Sequence, residues 1–163
     1  DPYLVALLYA GDRKDAAPMV AEWLSAGYFV LLDRYVYSNI AYQCAKLTAG
    51  DQQDKLSQWI LDLEYKYNRL PRPDLNLLLD VPFSFTANKL RENREGIERD
   101  YLQGSRDIHE EDLDFQQRVR NVYLQQAAAN PDLKIISCMA ENGTMLPPDD
   151  IFASILDLID LSK

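Results

Sequence analysis

Apolar residues are spaced in two ways along this chain, and the alternation between them predicts its architecture. Three short continuous runs, "YFVLLD" at 28–33, "LNLLLDV" at 75–81 and "KIISCMA" at 134–140, suit strands covered on both faces of a parallel sheet. Between them, apolar positions recur at helical spacing. "YLVALLYAGDRKDAAPMVAEWLSAG" at 3–27 predicts a helix interrupted near Gly11, with Pro18 early in its second part and Gly27 as the stop signal. Further helices are predicted for "RYVYSNIAYQCAKL", "DQQDKLSQWILDLEYKYN", "FSFTANKLREN" and a stretch near "DLDFQQRVRNVYLQQAAA", the last with Phe115, Val119 and Val122 on one face. A final helix opens at "PPDD" and carries Ile151, Ile155, Leu158 and Ile159. Strands alternating with helices imply an α/β fold, a parallel sheet with right-handed crossovers. No repeat or domain-length linker divides the 163 residues, so one domain is expected.

In such sheets ligands collect outside the carboxyl ends of the strands. Asp33 and Arg34 stand at one of those ends, followed by a helix whose residues sort by angle at about 100° each. Val36, Ile40, Cys44 and Leu47 form a packing stripe. Tyr35, Ser38, Asn39, Tyr42 and Lys46 fall on an adjacent side with Gln43 at its border. That side suits a pocket wall; it equally suits a solvated helix side beside an Asp33–Arg34 pair, and spacing alone does not choose.

Composition removes several classes of function. The formal net charge of −9 argues against a nucleic-acid or anionic-membrane surface, though a few local arginines suffice for one phosphorylated ligand. No apolar run approaches the roughly 18 residues that cross a bilayer, and no basic-then-apolar leader opens the sequence, so a cytoplasmic chain is expected. Cys44 and Cys138 lie far apart, and the single His109 cannot build a metal site alone.

"DRYVYSNIAYQ" resembles the Asp-Arg-Tyr segment of thymidylate kinases, and the similarity extends along the chain. "LLYAGDR" resembles the helix with which that family carries a base-binding aromatic and arginine. "LPRPDLNLLLDV" is similar to its Pro-Asp-Leu strand, and "RENREGIERDYLQGSRDIHEEDLDFQQRVRNVYLQ" to its arginine-bearing lid, about 91–111, and the following helix. The resemblance implies a three-layer sheet of the P-loop NTPase type and transfer of the ATP γ-phosphoryl group to dTMP. It also implies a homodimer that binds neither nucleic acid nor membrane.

Carried onto this sequence, the resemblance gives Tyr9 a stacking role on thymine and Arg13 a hydrogen bond to the base. Arg34 would grip the acceptor monophosphate, and Asp33 would hold Mg²⁺. Asn39 would read the base edge, Tyr42 would crowd the sugar where a 2′-hydroxyl would lie, and Ser38 and Gln43 would complete the pocket. Arg91 would pack on the adenine of ATP, and Arg94, Arg99 and Arg106 would neutralise charge during transfer. Phosphoryl transfer depends on positioning and charge neutralisation, which suits this inventory. Where the family has an Asp-Arg-containing lid pattern, "RDIHEE" departs from it by a few residues.

One larger departure concerns the phosphate-binding loop GxxxxGK[ST]. The six glycines, at 11, 27, 50, 96, 104 and 143, give no match to it, and the family's Arg-Glu-Pro-like second strand is absent from the sequence as well. The resemblance therefore implies a chain that starts about a third of the way into such a protein, inactive by itself. The same fold serves other nucleoside-monophosphate and deoxynucleoside kinases. A non-catalytic homologue that binds nucleotide or dimerises would share these motifs too.

Overall fold

The computed structural model describes residues 1–88 and 113–159. They belong to two compact units, one made of 1–74 with 121–126, the other of the described parts of 75–120 and 127–159.

The first unit is helical. Helix α1 runs unbroken from Pro2 to Ser25. The expected interruption at Gly11 does not occur: a mid-helix glycine costs only about 1 kcal/mol relative to alanine, too little to stop a helix whose neighbouring turns are packed. Asp1 caps α1 by accepting from the Tyr3 N–H at 2.8 Å. At the other end Gly27 takes φ +83°, and the Gly27 and Tyr28 N–H groups return to the carbonyls of Leu24 and Trp23. That is a Schellman closure, and it needs glycine's left-handed freedom. Ala6 and Ala10 are fully buried, so α1 lies close against α2, Val36–Cys44. The predicted stripe holds: Val36, Ile40 and Cys44 are all fully buried. Helix α3, Asp51–Leu61, packs on α2 through Leu56 and Ile60. The Gln53 side chain donates to the Cys44 and Leu47 carbonyls, which closes the end of α2. From Asp62 to Tyr67 the helix widens into a π-helical turn, marked by the Asn68 N–H donating to the Leu63 carbonyl five residues back at 2.8 Å.

"YFVLLD" is not a strand. An extended segment becomes one only by pairing, and among the described residues no strand pairs with 28–33. Its large side chains stay in solvent, Leu31 at 83% exposure.

The second unit holds the sheet. Strands β1, Asn76–Asp80, and β2, Leu133–Ser137, pair in parallel with Leu78 opposite Ile135. The Cys138 N–H donates to the Asp80 carbonyl at 3.0 Å and extends the ladder by one rung. Helical turns at 83–88 follow β1, and α4, Leu113–Ala129, precedes β2. Phe115, Val119 and Val122 of α4 are buried as their spacing implies. Helix α5, Pro148–Leu156, starts with proline in its first turn and Asp149 and Asp150 beside its positive end. Ile151 packs with Ile136 and Cys138 in the small core beneath the sheet. The α/β class with a parallel sheet stands as expected.

Candidate active site

The site is built where α1 meets the turn before α2. Arg34 adopts φ +67°, a left-handed conformation that side chains other than glycine enter at a cost of roughly 1–2 kcal/mol. A sequence holds an arginine there only when the position matters more than the strain. Arg34 lies 5.1 Å from the centre of the Tyr42 ring and donates to its hydroxyl at 3.3 Å. One helical turn behind, Ser38 hydrogen-bonds Tyr123 of α4.

Asp33, Arg34, Tyr35 and Pro71 form one wall of a cleft of about 120 Å³, and Arg13 with Leu32 borders it. The volume suits a phosphate-sized group, since whole small-molecule pockets start near about 300 Å³. Tyr9 precedes Arg13 by one turn of α1, and both lie on the stripe that continues through Ala16 and Val20 into the cleft. Tyr9 itself is 54% exposed. A larger, open depression of about 530 Å³ beside Trp59, Leu63 and Tyr67 contains none of the expected residues.

Behind the cleft lies a buried polar cluster that periodicity did not reveal. Glu64, on the π-helical turn, is fully buried and takes two hydrogen bonds from Arg13, that from Nε at 2.6 Å. The Asn39 Nδ2 donates both to Glu64, at 3.0 Å, and to the Ala6 carbonyl, at 3.1 Å. Its Oδ1 is buried without a partner among the described residues. Tyr35 covers the cluster, donating to the Pro71 carbonyl at 3.0 Å with its ring 5.9 Å from the Arg13 guanidinium. Burial, then the Glu64 charge, raises the Tyr35 pKa, and Arg13 opposes them. Tyr123 is raised chiefly by burial, against the hydrogen bond from Ser38.

Of the expected residues, Arg13, Asp33 and Arg34 share the cleft, with Tyr42 on Arg34 and Ser38 one step away through Tyr123. Gln43 stands apart from the cleft lining: it is 2% exposed and its Oε1 accepts from Lys46 at 2.9 Å. Arg91, Arg94, Arg99 and Arg106 lie outside the described residues, as does the lid segment with His109. Glu64 and Tyr123 were not anticipated. The only trace of Glu64 in the sequence is an acid four residues after Ile60 and eight after Leu56, where the buried stripe would call for another hydrophobe.

Among the described residues no group of three or more histidine, cysteine, aspartate or glutamate side chains could hold a metal. Mg²⁺ is nevertheless commonly bound by one carboxylate together with substrate phosphates. The exposed Asp33 carboxylate in the cleft wall fits that mode.

The family model described as thymidylate kinase matches residues 1–145. The chain belongs to the thymidylate kinase family. A probable thymidylate kinase of Thermococcus kodakarensis is 32% identical over 142 residues, covering 86% of this chain and 59% of the relative. A thymidylate kinase of Mycobacterium tuberculosis strain H37Rv is 36% identical over 127 residues, 77% of this chain and 56% of the relative. The chain thus spans less than two thirds of the length of these curated relatives. The solved structure of thymidylate kinase from Candida albicans superposes with a TM-score of 0.67 at 24% identity, covering 99% of this chain and 68% of that one. Its likeness puts this thymidylate kinase-family chain in the P-loop kinase fold class. Among the described residues no helix is long and apolar enough to cross a membrane.

Proposed function

We propose that this thymidylate kinase-family protein transfers the γ-phosphoryl group of ATP to dTMP, giving dTDP, in the cytoplasm. The observation that carries the reading is Arg34, held in a strained conformation at the mouth of a phosphate-sized cleft beside Asp33 and Arg13. An arginine there grips the acceptor monophosphate through charge-assisted bonds, with Tyr42 bracing its guanidinium. Tyr9 stacks on the base, while Arg13 and Asn39 read its edge. Tyr42 fills the volume a ribose 2′-hydroxyl would need, and Ser38 with Tyr123 supports that wall from behind. Gln43 acts by packing under the same helix. Asp33 holds Mg²⁺, which supplies charge neutralisation at the transferred phosphoryl group. Arg91 packs on adenine, and Arg94, Arg99 and Arg106 serve the ATP side from the lid.

A homodimer completes the reading. Leu4, Leu7 and Leu8 of α1 are 58%, 49% and 65% exposed, a stripe apart from Arg13 that suits a second copy. Sedimentation at micromolar concentration should show the dimer; monomer alone would remove that element. For the activity, the complete polypeptide is assayed for ADP release with MgATP against a panel of nucleoside monophosphates. Preference for dTMP is expected. No turnover with any pyrimidine monophosphate, or preference for a purine, would overturn the reading.

A further inference from the structure

Asn39 is fixed in its orientation by chemistry. Its amide nitrogen sits between two groups that can only accept, the Ala6 carbonyl and the Glu64 carboxylate. Turning the amide over would set oxygen against oxygen at both contacts. The consequence is an Oδ1 that is shielded from water, has no partner among the described residues, and belongs to a side chain only 4% exposed. An unpaired buried acceptor destabilises a fold unless something donates to it. Beside it the same carboxylate holds Arg13 by Nε and one terminal nitrogen, which leaves the other terminal nitrogen's donors unused by Glu64. The cluster therefore offers an acceptor and a donor side by side.

We infer that Glu64 is a positioning residue that sets this acceptor–donor order and thereby selects a 4-oxo pyrimidine with a protonated N3 over a 4-amino one. The inference rests on the dTMP reading above and deepens it. Thymine presents N3–H to Asn39 Oδ1 and its 4-oxo group to Arg13. Cytosine presents a bare N3 and an amino group, so both contacts would be mismatched. Sites with fixed polar partners reject such analogues far more strongly than apolar pockets do. Three N–H donors, two from Arg13 and one from Asn39, converge on the two oxygens of Glu64, and no neutral side chain of that size can accept all three.

The test is the ratio of dTMP to dCMP affinity in the complete polypeptide, with deoxyribose 5-phosphate as a control ligand that lacks a base. Glu64→Gln leaves a single acceptor for three donors, and Glu64→Met leaves none. In either folded variant the dTMP:dCMP ratio should fall by about tenfold or more, while affinity for deoxyribose 5-phosphate stays within about twofold, because Arg34 still grips the phosphate. An unchanged ratio overturns the inference. So does an equal loss of affinity for all three ligands, which marks a general collapse of the site. If neither variant folds, Glu64 is a stabilising residue and the assignment is withdrawn. A wild-type protein that fails to prefer dTMP over dCMP counts instead against the proposed function.

Discussion

Replacing Arg34 separates the strain at this position from its purpose. Arg34→Ala and Arg34→Gly remove the same guanidinium and the same contact with Tyr42, but only glycine relaxes at φ +67°. The left-handed conformation costs an L-residue about 1–2 kcal/mol. Glycine's greater freedom in the unfolded chain returns about 0.5–1 kcal/mol of that. The glycine variant should therefore be the more stable of the two by about 0.5–1 kcal/mol. For a chain of this size that is a difference of roughly 1–4 °C in Tm. The contact with Tyr42 is exposed and contributes about 0.5–1 kcal/mol, so the alanine variant should fall slightly below wild type and the glycine variant should match it. Ligand binding should behave differently. Both variants lose charge-assisted bonds of about 1.5–3 kcal/mol, so dTMP affinity should drop roughly 10- to 150-fold in each. Thermal unfolding without ligand and calorimetric titration with dTMP measure the two effects on the same samples. A glycine variant no more stable than the alanine one refutes the strain; unaltered dTMP affinity in both refutes the phosphate grip.

Three further outcomes follow from other contacts. Arg13→Met should destabilise the protein by about 3–5 kcal/mol, because Glu64 is left buried without its cation, and Arg13→Met combined with Glu64→Met should recover much of that loss in urea unfolding. Additive losses in the double variant would refute the coupling. Burial, reinforced by the Asp54 charge, pushes the Cys44 thiol up to about 12. The folded state thus keeps a proton that the unfolded chain releases near about 8.5, so this contribution to stability is full below that pH and is lost as pH rises toward 12. Cys44→Ala should flatten the decline of the urea midpoint above pH 9, and a thiol reagent at pH 8 should label Cys44 only after unfolding; rapid native labelling would contradict the burial. Tyr42→Ala should narrow the kcat/KM ratio between dTMP and its ribo-analogue, whereas Tyr42→Phe should keep most of it because the ring does the excluding; an unchanged ratio in the alanine variant would move Tyr42 out of the sugar site.

Local periodicity carried most of the fold. β1, β2, the Phe115–Val119–Val122 stripe and the start of α5 each depend on neighbours two to four positions away, so their patterns could be read directly from the sequence. Segment 28–33 shows the limit. It has the composition of a strand, but strandedness belongs to a pair, and among the described residues no partner strand accompanies it. Gly11 shows another, since a weak helix former is overruled by packed turns on either side. At the site, Asp33, Arg34 and Arg13 were legible as chemistry through family resemblance. The left-handed Arg34 was not, because nothing about an arginine announces positive φ. Glu64 was hidden for a different reason: its partner Arg13 is 51 residues away, and only tertiary packing brings them together.

The π-helical turn at Asp62–Tyr67 has a consequence for how this gene can vary. A π turn is an α-helix carrying one residue more than its hydrogen-bond ladder requires. Loss of a single codon within it would restore regular α geometry without breaking the helix, and the protein would still fold around α3. Yet every residue beyond the deletion would rotate by about 100° around the axis, and a deletion ahead of Glu64 would swing its carboxylate away from Arg13 and Asn39. Point substitution is therefore tolerable at several positions here, whereas a change of length is not. In surviving descendants of this gene the spacing between α3 and the Leu-Pro-Arg-Pro-Asp segment should be more constant than the residues that fill it.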